Sequence, residues 1–105
     1  MSGSGALVVR FGSPNLNSIE REAQRLEKMG LKRGVHFTVE MPDKGRYGYV
    51  SILREGLAYA AWLSVYGSEE QRRLAAEFVE RILRMAWEAG EEVHEKAKEI
   101  VKEGM

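Results

Sequence analysis

With 105 residues, 44% of them apolar and 30% charged, the chain has the make-up of one globular domain that can bury a core without disulfides or metals. It contains no cysteine, which excludes disulfide frameworks, thiolate catalysis and cysteine-based zinc sites, and no apolar run approaches the roughly 20 residues of a membrane span. Net charge is zero but unevenly placed: residues 1–54 carry nine Lys/Arg against five Asp/Glu, and residues 55–105 carry seven against eleven.

Residues 1–5 read as a flexible lead-in, neither basic nor followed by a cleavable apolar segment, so no signal peptide is expected. The domain then occupies residues 6–105, with a helical extension over 68–105. Ala6 to Phe11 is a β-rich run that ends at Gly12. Its alternation sends Leu7, Val9 and Phe11 towards a core and Val8 and Arg10 to the other face. Pro14 follows, and Asn17 to Glu20 reads as a capping box for a first helix running to about Met29. Leu16, Ile19, Ala23, Leu26 and Met29 form its apolar stripe, and Gly30 stops it.

Val35 to Met41 alternates with Val35, Phe37, Val39 and Met41 on one face and His36, Thr38 and Glu40 on the other. Pro42 to Gly45 is a turn by composition, and Arg46 to Leu53 returns as the second strand of a hairpin, with Gly48, Val50 and Ile52 opposed to Tyr47, Tyr49 and Ser51. A second helix, about Glu55 to Tyr66, is apolar nearly all round. That predicts burial on more than one side, with Trp62 and Tyr66, four apart, packed in the core in preference to lining a pocket. Ser68 to Gln71 is a stronger capping box and opens a third helix to about Ala89. Its Glu77 and Arg81 are spaced for an i,i+4 pair. Trp87 suits either packing on the next helix or a contact surface. Gly90 separates a charged fourth helix from Glu91 to Glu103.

The expected fold is therefore α+β: a three-stranded sheet in β-α-β-β-α order, ferredoxin-like but lacking the fourth strand, followed by two C-terminal helices. A right-handed crossover is expected to lay the third strand parallel to the first, with the second strand outside it. The edge of the first strand then needs a helix, a tail or a second subunit to cover it.

Nothing in the chain forms a catalytic constellation. The two histidines, His36 and His94, lie on different elements with no ligand spacing around either, and Asp43 is the one aspartate. No nucleophile-elbow serine or dinucleotide fingerprint is present, so no cofactor or metal is expected. The outer sheet face is the richer feature. Arg10, His36, Tyr47 and Tyr49 lie on it, with Lys32, Arg33, Lys44 and Arg46 at strand ends or in flanking loops. Rings on a strand among cations are what a single-stranded nucleic acid needs: bases stack, and cations hold the backbone. The same tyrosines also fit a plain strand, since tyrosine favours strands, with a helix or a second copy covering the face.

The run Lys44 to Ile52 resembles the third-strand motif of RNA-recognition-motif domains, K/R-G-F/Y-G/A-F-V-x-F/Y. Tyr47 and Tyr49 match its stacking positions, Gly48 the small residue between them and Val50 the core position. The sequence departs from it where Arg46 is inserted after Gly45, where Ile52 replaces the last aromatic, and where Val8 stands at a first-strand position that is often aromatic. A second resemblance covers nearly the whole chain. Leu31 to Thr38, Gly48 to Val50, Glu55 to Leu57, Ala61 to Gly67, Gln71 to Val79 and Gly90 to Val93 are similar to an expanded paralogous-repeat family of Pyrobaculum archaea, the type-two b group. That resemblance implies a thermophilic cytoplasm, leaves open truncation from a longer chain, and transfers no site.

Two functional expectations result. One is a small module binding single-stranded nucleic acid through Arg10, Lys32, Arg33, His36, Lys44, Arg46, Tyr47 and Tyr49. The other is a non-catalytic domain that either docks another protein or forms a homo-oligomer, the latter through the first-strand edge or the third and fourth helices. Neither involves a membrane.

Overall fold

The computed structural model describes residues 7–105. Ala6 and the lead-in fall outside the described residues. The elements are β1 (Leu7–Ser13), α1 (Leu16–Met29), β2 (Phe37–Glu40), β3 (Gly48–Leu53), α2 (Arg54–Tyr66), α3 (Glu69–Ala89) and α4 (Glu91–Gly104). The class is α+β, as expected.

The sheet has the order β1-β3-β2, with β3 antiparallel to both neighbours. The order agrees with expectation, but the parallel β1–β3 pairing does not hold. The crossover through α1 brings β2 back in the direction of β1, and the hairpin then reverses β3 between them. At the hairpin tip Lys44 and Gly45 both have positive φ, 34° and 84°, the backbone that a two-residue loop matched to strand twist requires. Asp43 and Arg46 close it by exchanging backbone hydrogen bonds of 2.6 and 3.3 Å.

Alternation places Val9, Phe37, Val50 and Ile52 in one continuous core with Ile19, Ala23 and Leu26 of α1, Leu57, Ala60 and Leu63 of α2, Phe78 and Ile82 of α3, and Ala97 and Ile100 of α4. In the strands and α1, four residues expected inside are exposed instead. Leu7 is 53% exposed because the β1–β3 register slips between Leu7 and Val9; the bulge turns the intervening Val8 towards the core. Val35 lies outside β2, in a turn where the Val35 and His36 N–H groups both donate to the Lys32 carbonyl. Met41 lies past the end of β2, and Leu16 sits in the exposed first turn of α1.

The α1 cap also lies earlier than Asn17. Asn15 is the N-cap, its Oδ1 accepting from the Asn17 N–H at 2.8 Å and the Ser18 N–H at 3.4 Å. The second capping box forms as read: Ser68 Oγ accepts from the Gln71 N–H at 3.2 Å, and Gln71 Oε1 accepts from the Ser68 N–H at 3.0 Å. Gln71 Nε2 also donates to the Met29 carbonyl at 3.3 Å, which satisfies the end of α1 and fixes α3 against it. Further along the same interface the buried Glu22 carboxylate takes both terminal nitrogens of Arg81. The expected Glu77–Arg81 pair does not form. A carboxylate removed from water gains more from a bidentate guanidinium than the exposed Glu77 would.

A double-mutant cycle on Glu22 and Arg81 should give a coupling of about 1–2 kcal/mol in urea unfolding, above the ~0.3–0.5 kcal/mol of a surface helix pair and below a fully buried one, because the Arg81 side chain is about a third exposed. A coupling indistinguishable from zero would show that the interface does not depend on this pair. β3 passes into α2 without a loop, so the start of α2 lies hard against the turn before β2. A Cβ on Gly56 would collide with the His36 carbonyl oxygen. Gly56→Ala should therefore destabilise by about 1–3 kcal/mol, read as a lower urea midpoint.

Candidate nucleic-acid interface

β3 sets the outer sheet face. Its alternation sends Val50 and Ile52 inward and Tyr49 and Ser51 outward. Opposite them, the register places Gly12 and Arg10 of β1 across from Tyr49 and Ser51, and Glu40 and Thr38 of β2 on the other side. Arg10, Thr38 and Glu40 are exposed, so no described helix covers this face.

Tyr49 does not stand free. Its ring lies across the glycine opposite it: a Cβ on Gly12 would come within 2.7 Å of Tyr49 Cε1. The Arg10 guanidinium carbon sits 4.1 Å from the centre of the ring, a cation–π contact that occupies one ring surface. Tyr47, one residue before the strand, is 54% exposed and flanks the same glycine. Lys44 and Arg46 are exposed in the hairpin tip just beyond. Arg10, Tyr47, Tyr49, Lys44 and Arg46 therefore occupy one end of the sheet, with Glu40 as the carboxylate on that face.

The other three candidates lie elsewhere. His36 is beside Leu53, whose N–H donates to the His36 carbonyl at 3.2 Å, while Tyr47 adjoins Gly48 at the far end of β3. Strand rise puts about 15–17 Å between these ends. The His36 ring turns from the sheet and stacks on Tyr59 of α2, with centroids 4.8 Å apart and planes 9° apart. Its Nδ1 accepts the Lys32 N–H at 2.9 Å, which assigns the ring proton to Nε2. Arg33 is held by Glu27 of α1 at 3.2 Å, with Glu20 at 4.0 Å. Lys32 and Arg33 thus flank the end of α1 and the start of α2.

Two features escape the sequence reading. Trp62 and Tyr66, expected in the core, are 44% and 58% exposed, because the smaller Leu57, Ala60, Ala61 and Leu63 take the inner side of α2. Secondly, a groove of about 760 Å³ between α1 and α3 is rimmed by Arg21, Arg25, Lys28 and Arg84, with Glu77 and Glu80 among them. Its signal was legible: Arg21, Arg25 and Lys28 recur at i, i+4, i+7, opposite the apolar stripe. Trp87 packs edge-on against His94, with ring centres 5.1 Å apart. Among the described residues no group of three or more His, Cys, Asp or Glu could hold a metal ion. Among the described residues no helix is long and apolar enough to cross a membrane.

Burial depresses the pKa of His36 below its ordinary value of 6.5; Glu55 opposes this and Lys32 reinforces it. The unfolded chain therefore binds a proton near pH 6.5 that the folded chain still refuses. Stability contributed by neutral His36 is complete above that pH and declines as pH falls towards the folded pKa. Unfolding midpoints measured from pH 7 to pH 5 should fall in the wild type, and His36→Phe should remove part of that slope. A wild-type titration of His36 at or above its ordinary pKa, followed by NMR, would contradict this.

In comparisons with known proteins, no protein-family model matches the chain, nor does any curated protein or solved structure.

Proposed function

We propose that this protein is a non-catalytic binding module that holds a single-stranded nucleic acid on the outer face of its sheet. The observation that carries the reading is the Arg10–Tyr49 stack on Gly12 beside the exposed Tyr47. Tyr47 offers a ring to a base, Arg10 fixes Tyr49 and supplies charge to a phosphate, and Lys44 and Arg46 extend the cations past the hairpin tip. The resemblance of Lys44 to Ile52 to an RNA-recognition-motif third strand supports the same face. Lys32, Arg33 and His36, at the far end of β3, are outside this site. The setting is the thermophilic cytoplasm that the archaeal resemblance implies.

Filter binding with single-stranded DNA and RNA at two salt concentrations tests the reading. Tyr47→Ala should weaken binding by about 1–3 kcal/mol in ΔG at either salt. Arg10→Ala should weaken it further and flatten the salt dependence, because it removes a phosphate contact and releases Tyr49. Absence of binding at low salt, or binding unchanged when Tyr47→Ala and Tyr49→Ala are combined, would remove the proposal.

A further inference from the structure

The exposed side of α2 carries a row of rings with no role in the sheet site. His36, Tyr59, Trp62 and Tyr66 follow one another with centroid separations of 4.8, 6.0 and 5.4 Å. The first three rings are nearly parallel, with planes 9° apart at each step, and Tyr66 is tilted by 36°. The tyrosines and the tryptophan recur at i, i+3, i+7, one helix face. Val65 is exposed beside them. α4 ends against the same helix: a Cβ on Gly104 would strike the Ala58 carbonyl oxygen, so Met105, also exposed, follows next to the row.

We infer that this row is a self-association surface, through which two copies of the chain pair α2 against α2 in antiparallel fashion about a two-fold axis. Three observations select a second copy. The segment 56–68 contains no charged residue, in a chain that is 30% charged. Two such faces meet without like-charge repulsion, and interface cores are depleted of charge in the same way. The ends of the row are complementary when antiparallel. Exposed Lys32 and Glu55 lie at the His36 end and exposed Glu69, Glu70 and Arg72 at the Tyr66 end, so antiparallel pairing sets Lys32 against the two glutamates and Glu55 against Arg72; none of the five is in an ion pair among the described residues.

The third observation is area. Trp62, Val65, Tyr66 and Met105 leave on the order of 400 Å² of apolar surface open. That is about half of the roughly 800 Å² per partner in a standard interface, so with a charged rim it suits a weak, reversible dimer. Base stacking is a poorer use of the row, because segment 56–68 carries no cation to hold a phosphate backbone beside the rings.

Sedimentation velocity on the full chain, from low micromolar to near-millimolar concentration, tests the inference. The wild type should pass from monomer to dimer. Trp62→Glu and Tyr66→Glu, both surface changes checked for fold by circular dichroism, should each weaken dimerisation by about tenfold or more. Leu7→Glu at the edge of β1 should leave it unchanged. A wild type monomeric throughout overturns the inference, as does a dimer that both glutamate variants retain. A monomer that instead partitions onto phosphatidylcholine vesicles through Trp62 overturns it as well. None of these readouts involves nucleic acid, so this interface and the sheet site stand or fall separately.

Discussion

β3 is hydrogen bonded along both edges and continues into α2 with no intervening loop. The rest of the molecule follows from that double constraint. Because β3 is central, its two-residue period decides both layers at once: Val50 and Ile52 seat the helices, and Tyr49 and Ser51 make the open face. Because it runs straight into α2, the helix must start beside the turn before β2, where the Leu53 N–H meets the His36 carbonyl and Gly56 leaves room for it. One six-residue strand thereby positions the Tyr49 stack at one end and the His36–Tyr59 stack at the other.

Much of this was legible in the sequence, and the misses share a cause. Element order, the Ser68 capping box, the hairpin and the inward Phe37, Val50 and Ile52 all depend on contacts close in sequence or on strict alternation, which the chain displays directly. The errors needed information from a distant partner. The bulge at Val8 exists in the pairing of β1 with β3, so nothing in residues 7–11 alone announces that Leu7 turns outward. Arg81 had a suitable carboxylate one turn away but takes Glu22 from another helix, because burial of Glu22 is a tertiary event. On α2, apolar residues all round left the choice of inner face undetermined. The core accepted alanines and leucines where helices approach closely and left the large rings outside.

The eight cations and aromatics grouped from the sequence illustrate a further limit. Alternation along Val35 to Met41 put His36 on the outer face, but β2 begins only at Phe37. The period has no force before the strand starts, and the backbone turn at Lys32 to His36 directs the imidazole to α2. Burial there penalises the charged ring, and the imidazole is stacked on Tyr59 rather than set on the sheet face. Arg33 is similarly occupied by Glu27. What remains together is the set joined by the β1–β3 register, which no one-dimensional pattern contains: Arg10 and Gly12 are far from Tyr49 in sequence and beneath it in the sheet.

The two ring systems differ in what they present, and the difference follows from their backbones. On the sheet, Tyr47 and Tyr49 are two residues apart, lean across Gly12 and have cations beside them. On α2, residues three and four apart lie one above the other, so the rings form a row along the helix with no charged side chain among them. In the proposed reading, flat rings with cations suit a polyanion carrying bases, and an uncharged ridge of rings suits another apolar ridge. The placements are also compatible. Leu57, Ala60 and Leu63 bind α2 to the inner side of the sheet, so its exposed row faces away from Tyr47 and Tyr49. In the proposed dimer both sheet faces stay open, and a single-stranded ligand long enough to reach both would gain a second, linked contact.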